Sequence, residues 1–154
     1  MKRVEVVLPC DCATRTGCSR PITICLVRKG AFLPMREAVF IVDDDPSMRV
    51  SMNRLLRAHG FAVTLFESAA DLLDHGEFDK AICIVLDINL DGKSGVELRR
   101  KLAEEGVTAP VIYITGDDSP VNRSAAVASG CVAYLTKPFT AESLIDSVTR
   151  AAAA

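Results

Sequence analysis

Four places in this chain end an apolar run with a reactive side chain. Asp43-Asp44-Asp45 follows Ala38-Val39-Phe40-Ile41-Val42, and Asp87 closes Ala81-Ile82-Cys83-Ile84-Val85-Leu86. Thr115 ends Pro110-Val111-Ile112-Tyr113-Ile114, and Lys137 comes shortly after the apolar residues 131–135. Taken alone, Asp87 is well explained as the start of a turn or a helix cap, a common use of Asp. The set is different. Carboxylates from two runs, brought within a few ångströms of one another, repel; each must protonate or find a cation. A hard divalent ion meets that need, and Mg²⁺ typically takes one or two carboxylates plus waters. Lys137, followed by Pro138, supplies a second positive group, and Thr115 a hydroxyl. Two cations around one aspartate make a site shaped for a phosphoryl group, where catalysis is mostly positioning and charge neutralisation.

Such a site exists only if the backbone delivers all four run ends to one rim. The run before Asp87 is apolar at every position, as in a strand buried on both faces of a parallel sheet. After Asp43-Asp44-Asp45, Pro46 suits a first helical turn with an Asp before it as N-cap. Met48, Met52, Leu55, Leu56 and His59 then recur on one helical face, with His59 expected to close the helix at the surface rather than bind a metal and Gly60 as the stop. Residues 61–66 read as a short strand and residues 68–75 as a helix opened by Ser68 and closed before Gly76. Ser94 caps a helix bearing Val96, Leu98 and Leu102, ended by Gly106. Asp118, Ser119 and Pro120 open an Ala-rich helix ended by Gly130; residues 131–135 form a fifth strand, and Thr140 caps a last helix with Ala141, Leu144, Ile145 and Val148. Five strands alternating with five helices imply a doubly wound α/β fold with a parallel sheet. Right-handed crossovers leave few strand orders, of which 2-1-3-4-5 is common, and it places Asp43-Asp44 and Asp87 at the switch point.

The chain's 154 residues suffice to bury one core without disulfides, and its 49% apolar and 25% charged residues are ordinary globular usage. No apolar run approaches the roughly 20 residues that span a bilayer, and the short runs after Lys2 and Arg3 are broken by Pro9, Asp11 and Arg15, so neither a membrane nor a signal peptide is expected and the cytoplasm is. The net charge of −2 is uneven: residues 1–37 carry +4 and residues 38–154 carry −6. The main body thus lacks the positive field that direct nucleic-acid binding needs. Residues 1–37 show no helix-length amphipathic pattern and are broken by Pro9, Gly17, Pro21, Gly30 and Pro34, so a poorly ordered extension is expected, with Met35 able to begin the compact domain directly. Cys10, Cys12, Cys18 and Cys25 lie there with irregular spacing and no histidine among them, which favours free thiols over zinc. Cys83 and Cys131 read as small core residues.

The set Val42-Asp43-Asp44-Asp45, Leu86-Asp87, Gly95, Ile114-Thr115-Gly116 and Tyr134-Leu135-Thr136-Lys137-Pro138-Phe139 resembles the receiver domain of two-component response regulators, over roughly residues 38–150. The resemblance implies a flavodoxin-like fold; the 2-1-3-4-5 order is the one known for this family and is no independent support. It implies a bacterial phosphorelay protein in which Asp87 accepts a phosphoryl group from a sensor histidine kinase or a histidine phosphotransfer protein. Asp44 would ligate Mg²⁺ directly and Asp43 through water, with Asp87 and the backbone carbonyl of Asn89 completing the protein ligands. Lys137 would pair with a phosphoryl oxygen, Thr115 would swing toward it, and Tyr134 would turn inward behind it. Asn89 and Asp117 would flank the path of the hydrolytic water, and the Lys137–Pro138 bond would be cis. Tyr134 as a plain strand-end aromatic and Thr115 as a β-favouring residue remain the readings without the resemblance. One position departs from the pattern: the family usually has proline four residues after the acceptor, where this chain has Asp91, expected to add charge and freedom to the loop.

Two rivals come from other classes. A phosphatase of the haloacid-dehalogenase type also uses a strand-end aspartate with Mg²⁺, but wants a second Asp two residues on as general acid, where this chain has Asn89. A receiver-shaped module that binds partners without being phosphorylated would have no use for the full acidic set and Lys137. With no residues left after the fifth helix for an output domain, the expectation is a stand-alone, chemotaxis-regulator-like receiver, a phosphoacceptor rather than an enzyme, acting on a downstream protein that the sequence does not name.

Overall fold

The computed structural model describes residues 38–154. The expectations for residues 1–37, including Met35 and the thiols of Cys10, Cys12, Cys18 and Cys25, lie outside the described residues.

The sheet has five parallel strands: β1 (Ala38–Val42), β2 (Ala62–Phe66), β3 (Ala81–Asp87), β4 (Val111–Thr115) and β5 (Ala133–Thr136), in the order β2-β1-β3-β4-β5. Five helices connect and follow them: α1 (Pro46–Ala58), α2 (Ala69–His75), α3 (Gly95–Glu104), α4 (Pro120–Ala128) and α5 (Ala141–Ala153). The doubly wound flavodoxin-like architecture is therefore as expected. Each helix starts where a short polar side chain takes up a free backbone N–H: Asp45 accepts from Ser47, Ser68 from Asp71, Ser94 from Glu97, Ser119 from Asn122 and Thr140 from Ser143. Caps of this kind contribute about 1 kcal/mol each.

The period-2 alternation of the strands divides the core into two layers. Phe40, Ile84, Leu86, Val111 and Tyr113 face one way, onto Leu72 of α2, Leu98 and Leu102 of α3, and Ala126 of α4. Val39, Ile41, Cys83, Val85, Ile112 and Ile114 face the other, onto Met52 and Leu56 of α1 and Leu144 and Val148 of α5. This is why the three central runs are apolar throughout: both of their faces are covered. Two expectations need adjustment. The fifth strand begins at Ala133, two residues later than the pattern suggests, because residues 131 and 132 cross from α4 as a bend and only Val132 donates a backbone bond, to the Val111 carbonyl. Cys83 is fully buried, whereas Cys131 is half-buried at the edge of the first layer. His59 closes α1 at the surface, as expected of it.

Between β3 and α3 the chain makes a miniature antiparallel hairpin, pairing Asn89 with Ser94 and Leu90 with Lys93 around a two-residue loop, Asp91-Gly92. Both loop residues have positive φ, 45° and 76°, the signature of a type I′ turn, for which Asp-Gly is a preferred pair. The freedom expected of Asp91 is thus not what the fold displays: a hydrogen-bonded ladder holds the loop. Immediately beyond, Gly95 donates to the Ile88 carbonyl at 2.7 Å, and a Cβ there would collide with the backbone carbonyl of Asp87. Only glycine lets α3 start this close to the end of β3. Gly95→Ala should therefore lower stability by about 2 kcal/mol, read as a drop in the thermal or urea midpoint; an unchanged midpoint would show that the two segments separate without cost.

Candidate functional site

Register fixes the site before any side chain is considered. Val42 is level with Leu86, so Asp43 falls beside Asp87; Asp87 pairs with Ile114, and Thr115 with Thr136, so Lys137 leaves the sheet next to Thr115. All four run ends meet at the carboxyl-terminal rim, the place where open α/β sheets bind ligands.

Asp43, Asp44 and Asp87 each bring a carboxylate oxygen into a group spanning no more than 4.8 Å. Asp43 and Asp87 are buried, while Asp44 is exposed at the mouth. The Lys137 ammonium sits between the two buried acids, donating to Asp87 Oδ2 at 2.6 Å and to Asp43 Oδ2 at 2.9 Å. Burial draws this ammonium toward its neutral form, but the hydrogen bonds to Asp87 and Asp43 outweigh it and hold its pKa above the ordinary lysine value. Burial likewise pushes the Asp43 carboxyl above the usual range, against the pull of its bonds from Lys137 and the Asp45 amide. Three carboxylates against one ammonium give the cluster an excess of formal negative charge. A divalent cation with a taste for hard oxygen donors is the matching counter-charge, so the donor set fits such an ion.

Backbone amides hold three more of the carboxylate oxygens. Asp45 N–H donates to Asp43 Oδ1 at 2.9 Å, Asn89 N–H to Asp87 Oδ1 at 2.9 Å, and Asp91 N–H to Asp44 Oδ2 at 3.2 Å. Thr115 is fully buried, and its hydroxyl is bound to its own loop, accepting from the Asp117 amide and donating to the Asp117 carbonyl, each at 3.0 Å. The Lys137–Pro138 bond is cis, as the resemblance implied. Tyr134 packs its ring against the first core layer, and its buried hydroxyl has no hydrogen-bond partner among the described residues. Burial pushes its phenol up, and the nearby carboxylate of Asp118 pushes the same way without reaching bonding geometry.

Two residues at this rim escape a reading of motifs. Arg49, one turn into α1, leans back toward the helix N-terminus and donates to the backbone carbonyl of Asp43 at 2.6 Å, with Glu67 at 3.7 Å from its other nitrogen. It ties the loop after β1 to the loop after β2. Arg123 of α4 grips both oxygens of Asp118 at 2.9 and 2.8 Å and lies 4.8 Å from the centre of the Tyr134 ring, a cation–π contact. Nothing local marks either arginine; each is one basic residue on a helix, and only the partner across space distinguishes it. The Asp91-Gly92 pair did carry a signal, because it is a strong two-residue hairpin marker.

Comparison with known proteins agrees with this geometry. The family model for the response regulator receiver domain matches residues 39–149. Nodulation protein W of Bradyrhizobium diazoefficiens is 39% identical over 113 residues, 73% of this chain and 50% of that protein. Transcriptional regulatory protein TdiR of Thauera aromatica is 36% identical over 115 residues, 75% of this chain and 51% of that protein. The crystal structure of a response regulator receiver protein from Burkholderia phymatum superposes with a TM-score of 0.67 at 36% identity, covering 76% of this chain and 95% of that one. The chain thus spans about half the length of the curated relatives it matches. No helix among the described residues is long and apolar enough to cross a membrane. From the rim geometry and the match over residues 39–149 alike, this chain belongs to the response regulator receiver domain family.

Proposed function

We propose that this chain is a cytoplasmic phosphoacceptor, with Asp87 receiving the phosphoryl group from a phosphohistidine on a sensor histidine kinase or a histidine phosphotransfer protein. The observation that carries the reading is the Asp87 carboxylate held 2.6 Å from Lys137 inside a cluster with Asp43 and Asp44. An Asp87 oxygen attacks phosphorus in line, the new P–O bond forms as the P–N bond breaks, and the imidazole leaves. Asp44 and Asp87 would hold Mg²⁺ directly, the Asn89 carbonyl with them and Asp43 through water; when bound, the ion neutralises charge on the group in transfer. Lys137 exchanges part of its contact with Asp87 for a phosphoryl oxygen. Later attack of water on phosphorus breaks the bond from the Asp87 oxygen to phosphorus, releasing inorganic phosphate and restoring the free carboxylate.

The same geometry suggests how the charge is read out. Phosphorylation adds about −1.5 to −2 charge at the end of β3. To meet it, the Thr115 hydroxyl has to give up both of its bonds to Asp117. That loop carries on into α4, whose Arg123 covers Tyr134, the residue with a buried and unpartnered hydroxyl. A shift of the loop therefore changes the packing of α4 and β5, and with them α5: a population shift between two arrangements that a downstream protein can distinguish.

Incubation with acetyl phosphate or a kinase and Mg²⁺ should label the parent and leave Asp87→Asn unlabelled; equal labelling of both would remove Asp87 from the role. No turnover of a generic phosphate ester is expected, in contrast to a phosphatase. Replacing Asn89 or Asp117, which flank the proposed water path, should alter the rate of label loss far more than the rate of labelling. Equal effects on the two rates would mean that neither residue governs access of water.

A further inference from the structure

Asp91 stands where the family pattern has proline, and its backbone does something that proline cannot. Its N–H reaches across 47 positions of sequence to Oδ2 of Asp44, at 3.2 Å. At the base of the same hairpin, the Asn89 N–H holds Oδ1 of Asp87 at 2.9 Å. One short hairpin thus donates to two of the three clustered carboxylates, one at the end of β3 and one on the loop after β1. The hairpin is itself anchored: Leu90 is buried, and Gly95 N–H ties its far end to the Ile88 carbonyl at 2.7 Å. Asp44 is the member that needs holding. It lies exposed on the loop after β1, repelled by Asp43 and Asp87, and the turn of its side chain into water would leave the cluster one ligand short.

We propose that the Asn89–Ser94 hairpin is a backbone clamp for the divalent ion, in which Asp91 is a positioning residue whose amide keeps the Asp44 carboxylate turned toward Asp43 and Asp87. The inference rests on reading that cluster as a divalent-cation site. An amide fixed by the ladder orients the ligand before the ion arrives, so less ordering remains to be done on binding. Hydrogen-bond partners that orient metal ligands typically change affinity about 10–100-fold when lost. The side chain of Asp91 is exposed, lies outside the carboxylate cluster and is not needed for the clamp. What is needed is an N–H together with a positive φ of 45°. Proline lacks the first and is locked near −65°; asparagine and glycine keep the amide and tolerate left-handed backbone.

The test is Mg²⁺ titration of the full chain by calorimetry, with hydrogen exchange of the Asp91 amide as a readout independent of phosphorylation. Asp91→Asn and Asp91→Gly should bind within about threefold of the parent, and Asp91→Pro about tenfold or more weakly. In the metal-free parent the Asp91 amide should exchange slowly for an exposed residue, and Asp44→Ala should abolish that protection. The Ile84 amide, bonded to the Pro110 carbonyl inside the sheet, should stay protected in every variant as the control for folding. Affinity of Asp91→Pro equal to the parent overturns the clamp, as does an Asp91 amide that exchanges no faster in Asp44→Ala. Loss of affinity in Asp91→Asn equal to that in Asp91→Pro overturns it too, because the side-chain charge would then be the cause. A parent that binds no Mg²⁺ while the Asp91 amide still depends on Asp44 would instead overturn the cation-site reading and leave the contact without a metal to serve.

Discussion

The constraint that organises this molecule is a charge imbalance at the end of the sheet. Two buried carboxylates, Asp43 and Asp87, share a single ammonium from Lys137, and a third, Asp44, stands exposed beside them. Burying acids is costly unless each oxygen finds a donor, and here the donors are supplied one by one: the ammonium for one oxygen of each buried acid, and backbone amides of Asp45 and Asn89 for the other. Even so, the negative charge exceeds the positive. A divalent cation is the counter-charge that matches such a site.

That imbalance is maintained by the sheet. Parallel strands in register put their last residues on one rim, and both layers of core side chains hold the strands from slipping. A one-residue slip would turn Asp87 to the wrong face and carry its apolar neighbours with it. Tight local devices refine the position: Gly95 lets α3 begin against the Asp87 carbonyl, and Arg49 fastens the peptide of Asp43 from above. Around the rim, Thr115 and Tyr134 are in contrasting states, the first fully satisfied by its own loop and the second buried with its hydroxyl unanswered. The switch proposed above draws on this contrast: a loop with bonds to surrender stands near an aromatic that lacks one.

The loop after β3 shows how a departure from a family pattern can be compensated by different chemistry. Proline restrains such a loop by fixing φ. Asp91 restrains it through a type I′ turn and an amide directed at Asp44, so rigidity is supplied by hydrogen bonds rather than by a ring.

Much of this was determined by the sequence alone. The alternation of apolar runs with 3.6-period stretches, each stretch opened by Asp, Ser or Thr and most of them followed by Gly, is a local signal, and it sufficed for the five strands, the five helices and the doubly wound sheet. The rim residues Asp43, Asp44, Asp87, Thr115 and Lys137 were legible for the same reason: a side chain at the end of a parallel strand has only one place to go. What the tertiary structure alone decided are contacts between residues far apart in the chain, such as Asp91 with Asp44, and contacts set by the reach of a long side chain, such as Arg49 to the Asp43 carbonyl and Arg123 over Tyr134. The late start of β5 at Ala133 and the half-exposure of Cys131 belong with them. Periodicity records which face of an element is buried. It carries no information on which donor, arriving from another element, will find an unpaired oxygen, because that depends on loop backbone angles and side-chain length once the layers have packed.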